Sequence, residues 1–525
     1  MNGREFAPHS QKLQPAVRRA RTPSNADVAS INGEAAPKSY SVPFLRSIGS
    51  ALGSRIGSTL VGVVTFGMLA RHLGSDGLGV YRTTLTLLLF SGVLVDLGLY
   101  SITLRDISQP GTSKGRTLGN AVALRILATA SVTGLLALIL ALWGTASVPW
   151  QGVAIAAIGW VAYQLNELLR AVFQYCMRQS LAALAEMAGA TLTLVLVSIL
   201  ARFQADTNWM LAASALGFCC MGSLAWAVAN RLIPFRPRID PGEWRRLAIA
   251  GLPLAASTIL LTVHMRIDVL FLSFMRPVAE VGLYDPPLKI YELLSTLPYL
   301  FGGLLLPLFV KDLSTIGSIS RRLSAATGVT ILFATVAFVV LFECAEPILA
   351  LLAGDAFVES ATPLRVLGAS AAFAGLTAIF RFAAVALDQQ DRVLRADIFG
   401  VSTAILCHLA LIPSHGLVGA AVGKLVGDVA TLVPVLLILR RHLNRGVLLS
   451  VGISAVLGTT LVELLDRASQ AGMHWLIAVI ICVAATIGLV LLIPAVRRRL
   501  ADITFAPASE LTYGLLTARV RRRTS

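Results

Sequence analysis

Runs of about 20 apolar residues, broken by short polar stretches, recur along almost the whole chain. A helix of that length crosses the ~30 Å hydrocarbon core of a bilayer. The pattern predicts spans at about 44–70, 79–104, 118–143, 150–174, 180–202 and 208–232. After the charged stretch IPFRPRIDPGEWRR (233–246) it predicts further spans at 247–274, 281–309, 322–343, 363–387, 393–413, 416–440, 446–467 and 474–496. The expected architecture is therefore all-α and polytopic, with about fourteen transmembrane helices. A six-helix bundle over 44–232 precedes the linker 233–246, a second six-helix bundle covers 247–440, and two additional helices lie in 441–496. Residues 1–43 are basic, rich in Pro, Ser, Asn and Ala, and lack the apolar stretch of a signal peptide, so they read as a disordered tail. Residues 497–525 form a second basic tail.

Composition agrees: of 525 residues, 56% are hydrophobic and only 14% charged, which no soluble domain of this length matches. The net charge of +16 would suit a nucleic-acid partner, but its distribution excludes one. Residues 1–46 hold seven basic side chains against three acidic, and 497–525 hold seven against two. Most of the remainder sits in alternate linkers, which carry Lys114 and Arg116, then Arg170 and Arg178, then Arg236, Arg238, Arg245 and Arg246. The intervening loops carry at most two basic residues each, Arg71 and Arg82 being counted to the first of them. This alternation predicts an even number of spans with both termini cytoplasmic. The six cysteines lie mostly within apolar runs, without the spacing of a disulfide framework or a zinc site.

Charge inside the spans is the next signal. Within GLPLAASTILLTVHMRIDVLFLSFMRPVAEVGLYDPPLKIYELL (251–294), His264, Arg266 and Asp268 lie in one apolar run, with Lys289 and Glu292 in the next. A charge at the bilayer centre costs roughly 2.5–3.5 kcal/mol on insertion scales, so these groups are expected to face a protein interior or a wet cavity. Arg266 and Asp268 stand about 200° apart on a helix and cannot pair, whereas His264 and Asp268, four apart, share a face. Arg266 therefore needs a partner on another helix or on a ligand. In the first span, Gly49, Gly53 and Gly57 form a small-residue stripe suited to close helix packing, with Arg55 on another face. Glu167 and Arg170 are spaced to pair, and Arg125 to snorkel.

LARHLGSDGLGVYRTTLTLLLF and LSFMRPVAEVGLYDPPLKIYELL share one layout: span end, short loop, Gly-x-Tyr, new span. Tyr81 and Tyr284 stand 203 residues apart, about six spans, as in two repeated bundles that rock about a central cavity. These segments, with VDLGL, LLLPLF, ILALLAGDAFVESATPLRVLGASA and HGLVGAAVGKLVGD, resemble the polysaccharide transporter branch (Wzx-type oligosaccharide flippases) of the multidrug/oligosaccharidyl-lipid/polysaccharide exporter superfamily. The resemblance runs from about Ser47 to Arg440. It implies two bundles, alternating access and export of isoprenoid diphosphate-linked sugars across the bacterial cytoplasmic membrane. Implied partners are lipid-linked oligosaccharide and membrane lipids, with a polysaccharide polymerase and chain-length machinery as further candidates. The long basic N-terminal tail departs from the family pattern.

A diphosphate crossing hydrocarbon needs a cationic, hydrated route. Arg55, Arg266, Lys289, Arg381 and Lys424 are the candidate substrate-binding residues. Each has a structural rival: Lys289 with Glu292, Lys424 with Asp428, Arg381 at the interface. Asp268 beside His264 is the first candidate for coupling to protons or sodium, followed by Glu292 and Asp428; no other cofactor is expected. Phosphate-loop, HExxH, GxSxG and CxxC signatures are absent from the sequence, which reads as no enzyme. Alternatives left open are export of a drug or of the peptidoglycan lipid precursor, and a membrane-embedded polymerase or transferase.

Overall fold

The computed structural model describes residues 41–96, 98–143, 149–312 and 318–443, with scattered positions between 456 and 484; the side chains of 41–56 and 252–258 are not among those described. From Gly49 onward the described residues belong to one compact unit. In order, the helices are α1 (Ser41–Asp96), α2 (Leu99–Ser108), α3 (Lys114–Trp143), α4 (Trp150–Tyr175), α5 (Gln179–Arg202) and α6 (Thr207–Leu232). Then come α7 (Pro241–Met275), α8 (Val278–Asp312), α9 (Ser318–Glu343), α10 (Ala345–Leu352), a 3-10 turn (Asp355–Ser360), α11 (Ala361–Ala386) and α12 (Gln390–Leu439). Among the described residues, nine helices are long and apolar enough to cross a membrane.

Two of these helices each hold two predicted spans. Gly74, at φ 64° and ψ −170°, turns the chain inside α1, and Gly416, at φ 53° and ψ −130°, does so inside α12. Both dihedral pairs exclude ordinary side chains, so a glycine is required at each corner. The predicted span 79–104 is broken: α1 stops at Asp96, and α2 restarts after Gly98 in the left-handed region (φ 69°). That break leaves Asp96 at a helix end. The loop expected at 343–363 contains α10 and the 3-10 turn. The predicted spans 446–467 and 474–496, and both tails, lie wholly or largely outside the described residues.

Most apolar burial falls within each half, although Phe66, Leu69 and Leu78 of α1 also share a cluster with Ala353 and Phe357 of the second half. In the first, α4 lies against α3, α5 and α6 around Leu168, Val172, Phe173 and Ala225. In the second, α11 packs on α8, α9 and α12 around Phe309, Ile379, Phe380 and Val435. Leu138, Leu142, Ile158, Leu184, Phe274 and Leu406 point outward, the side that hydrocarbon would cover in a membrane-spanning helix. Capping fixes the entry into the second half. Asp240 precedes Pro241 at the start of α7 and accepts from the backbone N–H groups of Gly242 and Glu243. Cys176, Cys219, Cys220, Cys344 and Cys407 are not in disulfides, and among the described residues no group of His, Cys, Asp and Glu could hold a metal ion.

Candidate functional site: a polar cavity and two buried charge networks

The helix ends joined by Lys114, Arg116, Arg178 and the 233–246 linker form a basic end of the molecule. Towards it lies a cavity of about 460 Å³ in the first half. The first-half helices give most of its wall and α7 gives Thr262. Trp160, Tyr163, Glu167 and Arg170 follow one another at three- and four-residue steps along one face of α4, with Gln164 beside Tyr163. Trp160 stacks on Tyr163 with ring centroids 4.6 Å apart. Arg170 lies 3.2 Å from Glu167 and 3.9 Å from Glu186 of α5. Freed at its helix end, Asp96 binds Arg125 of α3 at 2.6 Å, and Arg125 also donates to the carbonyl of Gln164 at 3.3 Å.

Beyond the cavity, one turn past Thr262 on the same face of α7, Arg266 opens a second group of charges. It donates to Glu292 of α8 and lies within electrostatic reach of Tyr163. Glu292 also accepts from Lys289 at 3.3 Å and from Arg82 of α1 at 3.1 Å. Arg82 stands 2.9 Å from Asp285, an ion pair without the alignment of a hydrogen bond. Three cations thus meet two carboxylates, a net charge of about +1 when all are ionised.

Just past this group the halves touch backbone to backbone. A Cβ placed on Gly79 would fall 1.9 Å from the carbonyl of Val278, and one on Gly282 would fall 1.8 Å from that of Ser75. These are the glycines of the two Gly-x-Tyr motifs. The tyrosines turn back into their own halves, Tyr81 to Ser214 and Tyr284 to Asp268. The repeat therefore marks a seam where the two halves meet, at the end opposite the basic loops.

The third group lies within the second half. Asp268, fully buried, accepts from Tyr284 at 2.9 Å and from the N–H of Val269 at 2.9 Å, and faces Lys424 at 3.5 Å. Asp428 is bound by His264 at 2.9 Å, by Tyr291 at 3.0 Å and by Ser370.

Arg266, Lys289 and Glu292 come together, while Lys424, Asp268 and Asp428 form a separate network. Lys289 and Glu292 pair within α8 as expected, but in the third group the pairing expected within α7 and α12 is replaced by pairing between them: His264 meets Asp428 rather than Asp268, and Lys424 meets Asp268 rather than Asp428. Arg381, expected either in the cavity or at the interface, is bound by Asp397 of α12 at 2.6 Å and lines no part of the cavity. Arg55 falls outside the residues whose side chains are described. Sequence reasoning missed Asp96, Arg125, Glu167 and Arg170 as cavity residues, and it placed Arg82 among the loop charges. The repeat carried a signal for Arg82: it and Asp285 stand at equivalent positions, each following the tyrosine of its motif, with opposite charges.

A family model described as polysaccharide biosynthesis protein matches residues 44–312. No curated protein sequence matches. A solved structure of the lipid II flippase MurJ, in an inward closed conformation, superposes with a TM-score of 0.69 at 12% identity, covering 83% of this chain and 97% of that one. An inward-facing multidrug resistance MATE family transporter of the MOP superfamily gives 0.57 at 13% identity, covering 73% and 94%. A MOP superfamily transporter from Pyrococcus furiosus Vc1, described with a binding pocket of reverse polarity, gives 0.52 at 15% identity, covering 76% and 95%. The chain shares their fold.

Proposed function

The chain belongs to the polysaccharide biosynthesis protein family, and from that premise we propose that it is a flippase for isoprenoid diphosphate-linked oligosaccharide repeat units, working by alternating access in the bacterial cytoplasmic membrane. The observation that carries this reading is the cavity of about 460 Å³, with a cation-rich group one helical turn beyond its Thr262 wall. With the basic end cytoplasmic, as the loop charges require, the cavity faces the side where lipid-linked sugars are built. The sugar would rest against the Trp160–Tyr163 stack, since apolar ring faces suit aromatic side chains. The diphosphate would reach Arg266 and Lys289, exchanging with Glu292 for their donors. Arginine suits this role through its forked N–H groups, and lysine as a point charge. Each cation already has a carboxylate partner, so phosphate binding is an exchange rather than a capture, and release on the far side remains feasible. There the repeat unit would pass to a polymerase and its chain-length machinery. Energy would enter through an ion bound at the buried carboxylates; one charge crossing 100 mV supplies about 2.3 kcal/mol.

The test is the sidedness of lipid-linked sugar in a strain lacking this gene. Repeat units should accumulate on the cytoplasmic leaflet and be restored to the outer leaflet by the wild-type chain. Arg266→Ala removes charge-assisted hydrogen bonds worth about 1.5–3 kcal/mol and should slow flipping roughly 10- to 100-fold. An unchanged transbilayer distribution in the deletion strain would sink the proposal. The likeness to a lipid II flippase supports a second cargo of the same chemistry, the peptidoglycan lipid precursor. Growth of cells depleted of their own lipid II flippase, when they carry this chain, would favour it.

A further inference from the structure

Lys424 is buried to 2% in the middle of the second half, where a bare ammonium is expensive. Its surroundings explain how it is kept. The Nζ lies 3.5 Å from Asp268 Oδ2 and donates to two backbone carbonyls of α7, those of His264 and Met265, each at 3.3 Å. The usual helical donor to the Met265 carbonyl is Val269, whose N–H goes to Asp268 Oδ1. A face of Tyr291 lies 4.9 Å from the ammonium. The ammonium thus faces three oxygens, two as hydrogen-bond acceptors and one as an anionic partner, with a π-face on a further side. A carboxylate, two carbonyls and an aromatic ring are the ligands a small monovalent cation would take from this protein, and the lysine brings that cation on its own side chain.

We propose that Lys424 is a tethered cation: its ammonium fills a monovalent-cation seat built by Asp268 and the carbonyls of His264 and Met265, so that sodium has no place in this network. The neighbouring groups fit. Around Asp268 stand Tyr284 of α8, which donates to it, and His408 of α12, within electrostatic reach of it. Asp428, the second buried carboxylate, is already held by His264, Tyr291 and Ser370. The Asp397 carboxylate, the next one felt by His264, is neutralised by Arg381. Asp268 is thus matched by the fixed ammonium of Lys424, and Asp428 by the imidazole of His264. The proposal deepens the transport reading and rests on it for its significance, but its test needs no cargo.

The full-length chain is purified, and its unfolding temperature is compared in sodium chloride and choline chloride at equal ionic strength. The wild-type chain should unfold at the same temperature in both. Lys424→Ala vacates the seat while leaving Asp268, so it should be less stable in choline chloride and recover several degrees in sodium chloride. The double variant Asp268→Asn, Lys424→Leu removes the charge pair together; it should fold and show no response to sodium. Sodium-specific stabilisation of the wild-type chain would overturn the proposal. So would a Lys424→Ala chain that unfolds alike in both salts or fails to fold in either, or a double variant that sodium stabilises.

Discussion

Asp96 and Arg125 share a bond and both line the cavity, but they are not equally wet: Arg125 is 3% exposed and Asp96 21%. Losing the carboxylate strands a guanidinium with only the Gln164 carbonyl; losing the arginine leaves a carboxylate that cavity water can reach. Asp96→Ala should therefore cost about 3–5 kcal/mol, and Arg125→Ala less, about 1–3 kcal/mol. Thermal unfolding of the two purified variants checks the order, and the reverse order would mean that the cavity stays dry around Asp96. This asymmetry could not be read from the chain, and neither could the pairing in the second half. The sequence displays His264 with Asp268, and Lys424 with Asp428, each at helical spacing. In the structure the partners cross, 264 with 428 and 268 with 424, as expected where α7 and the last part of α12 lie antiparallel. Spacing along one helix shows which charges share a face; which helix that face meets is a property of the packed bundle.

At the scale of the element, span positions were legible because roughly 20 apolar residues in a row have few other uses. The breaks were less legible, since they depend on single backbone conformations. Gly74 and Gly62 make a clean contrast. Neither would bring a new Cβ within 4 Å of a neighbour, but Gly74 has φ +64° and Gly62 is ordinary helix. Gly74→Ala should lose about 1–3 kcal/mol from backbone strain alone, whereas Gly62→Ala should be neutral or gain up to about 1 kcal/mol. Chemical denaturation of both variants separates the two effects. The start of α7 gives a pH test outside the membrane. Arg116 and the backbone N–H of Glu243 hold the Asp240 carboxyl below the usual carboxylate range. A depressed pKa in the fold means that the stabilisation is present above the ordinary carboxylate pKa and is lost as pH falls through the folded value. Asp240→Asn keeps a capping oxygen but loses the charge, so it should unfold at a lower temperature than the wild-type chain at pH 7. That difference should vanish once acid protonates Asp240; a gap that persists in acid would assign the loss to the cap instead.

At the scale of the whole molecule, the repeat of Gly-x-Tyr was legible while its purpose was not, because a seam exists only once two halves face each other. Gly79 and Gly282 occupy equivalent places and touch; Arg82 and Asp285 occupy equivalent places and pair, being 12% and 3% exposed. Two-fold packing of equivalent residues sets like against like, and opposite charges at this one step turn what would be a repulsion into a bond. The bond and the glycine contact close the same end, so each should bias the same equilibrium. Breaking a buried pair is worth about 3–5 kcal/mol, which is nearly the ~5.5 kcal/mol that moves a two-state population from 1:99 to 99:1. With the six native cysteines replaced, a single Thr262→Cys on the cavity wall should react with a membrane-impermeant maleimide from the basic side only. Adding Gly79→Ala, Gly282→Ala or Arg82→Ala should make it reactive from the opposite side, by several-fold or more. The exchange Arg82→Asp with Asp285→Arg should restore protection, though less fully, because Glu292 would then face a second carboxylate in place of the guanidinium it now holds. Reactivity unaltered by either glycine substitution would place the closure elsewhere in the molecule and leave Gly-x-Tyr as a packing motif alone.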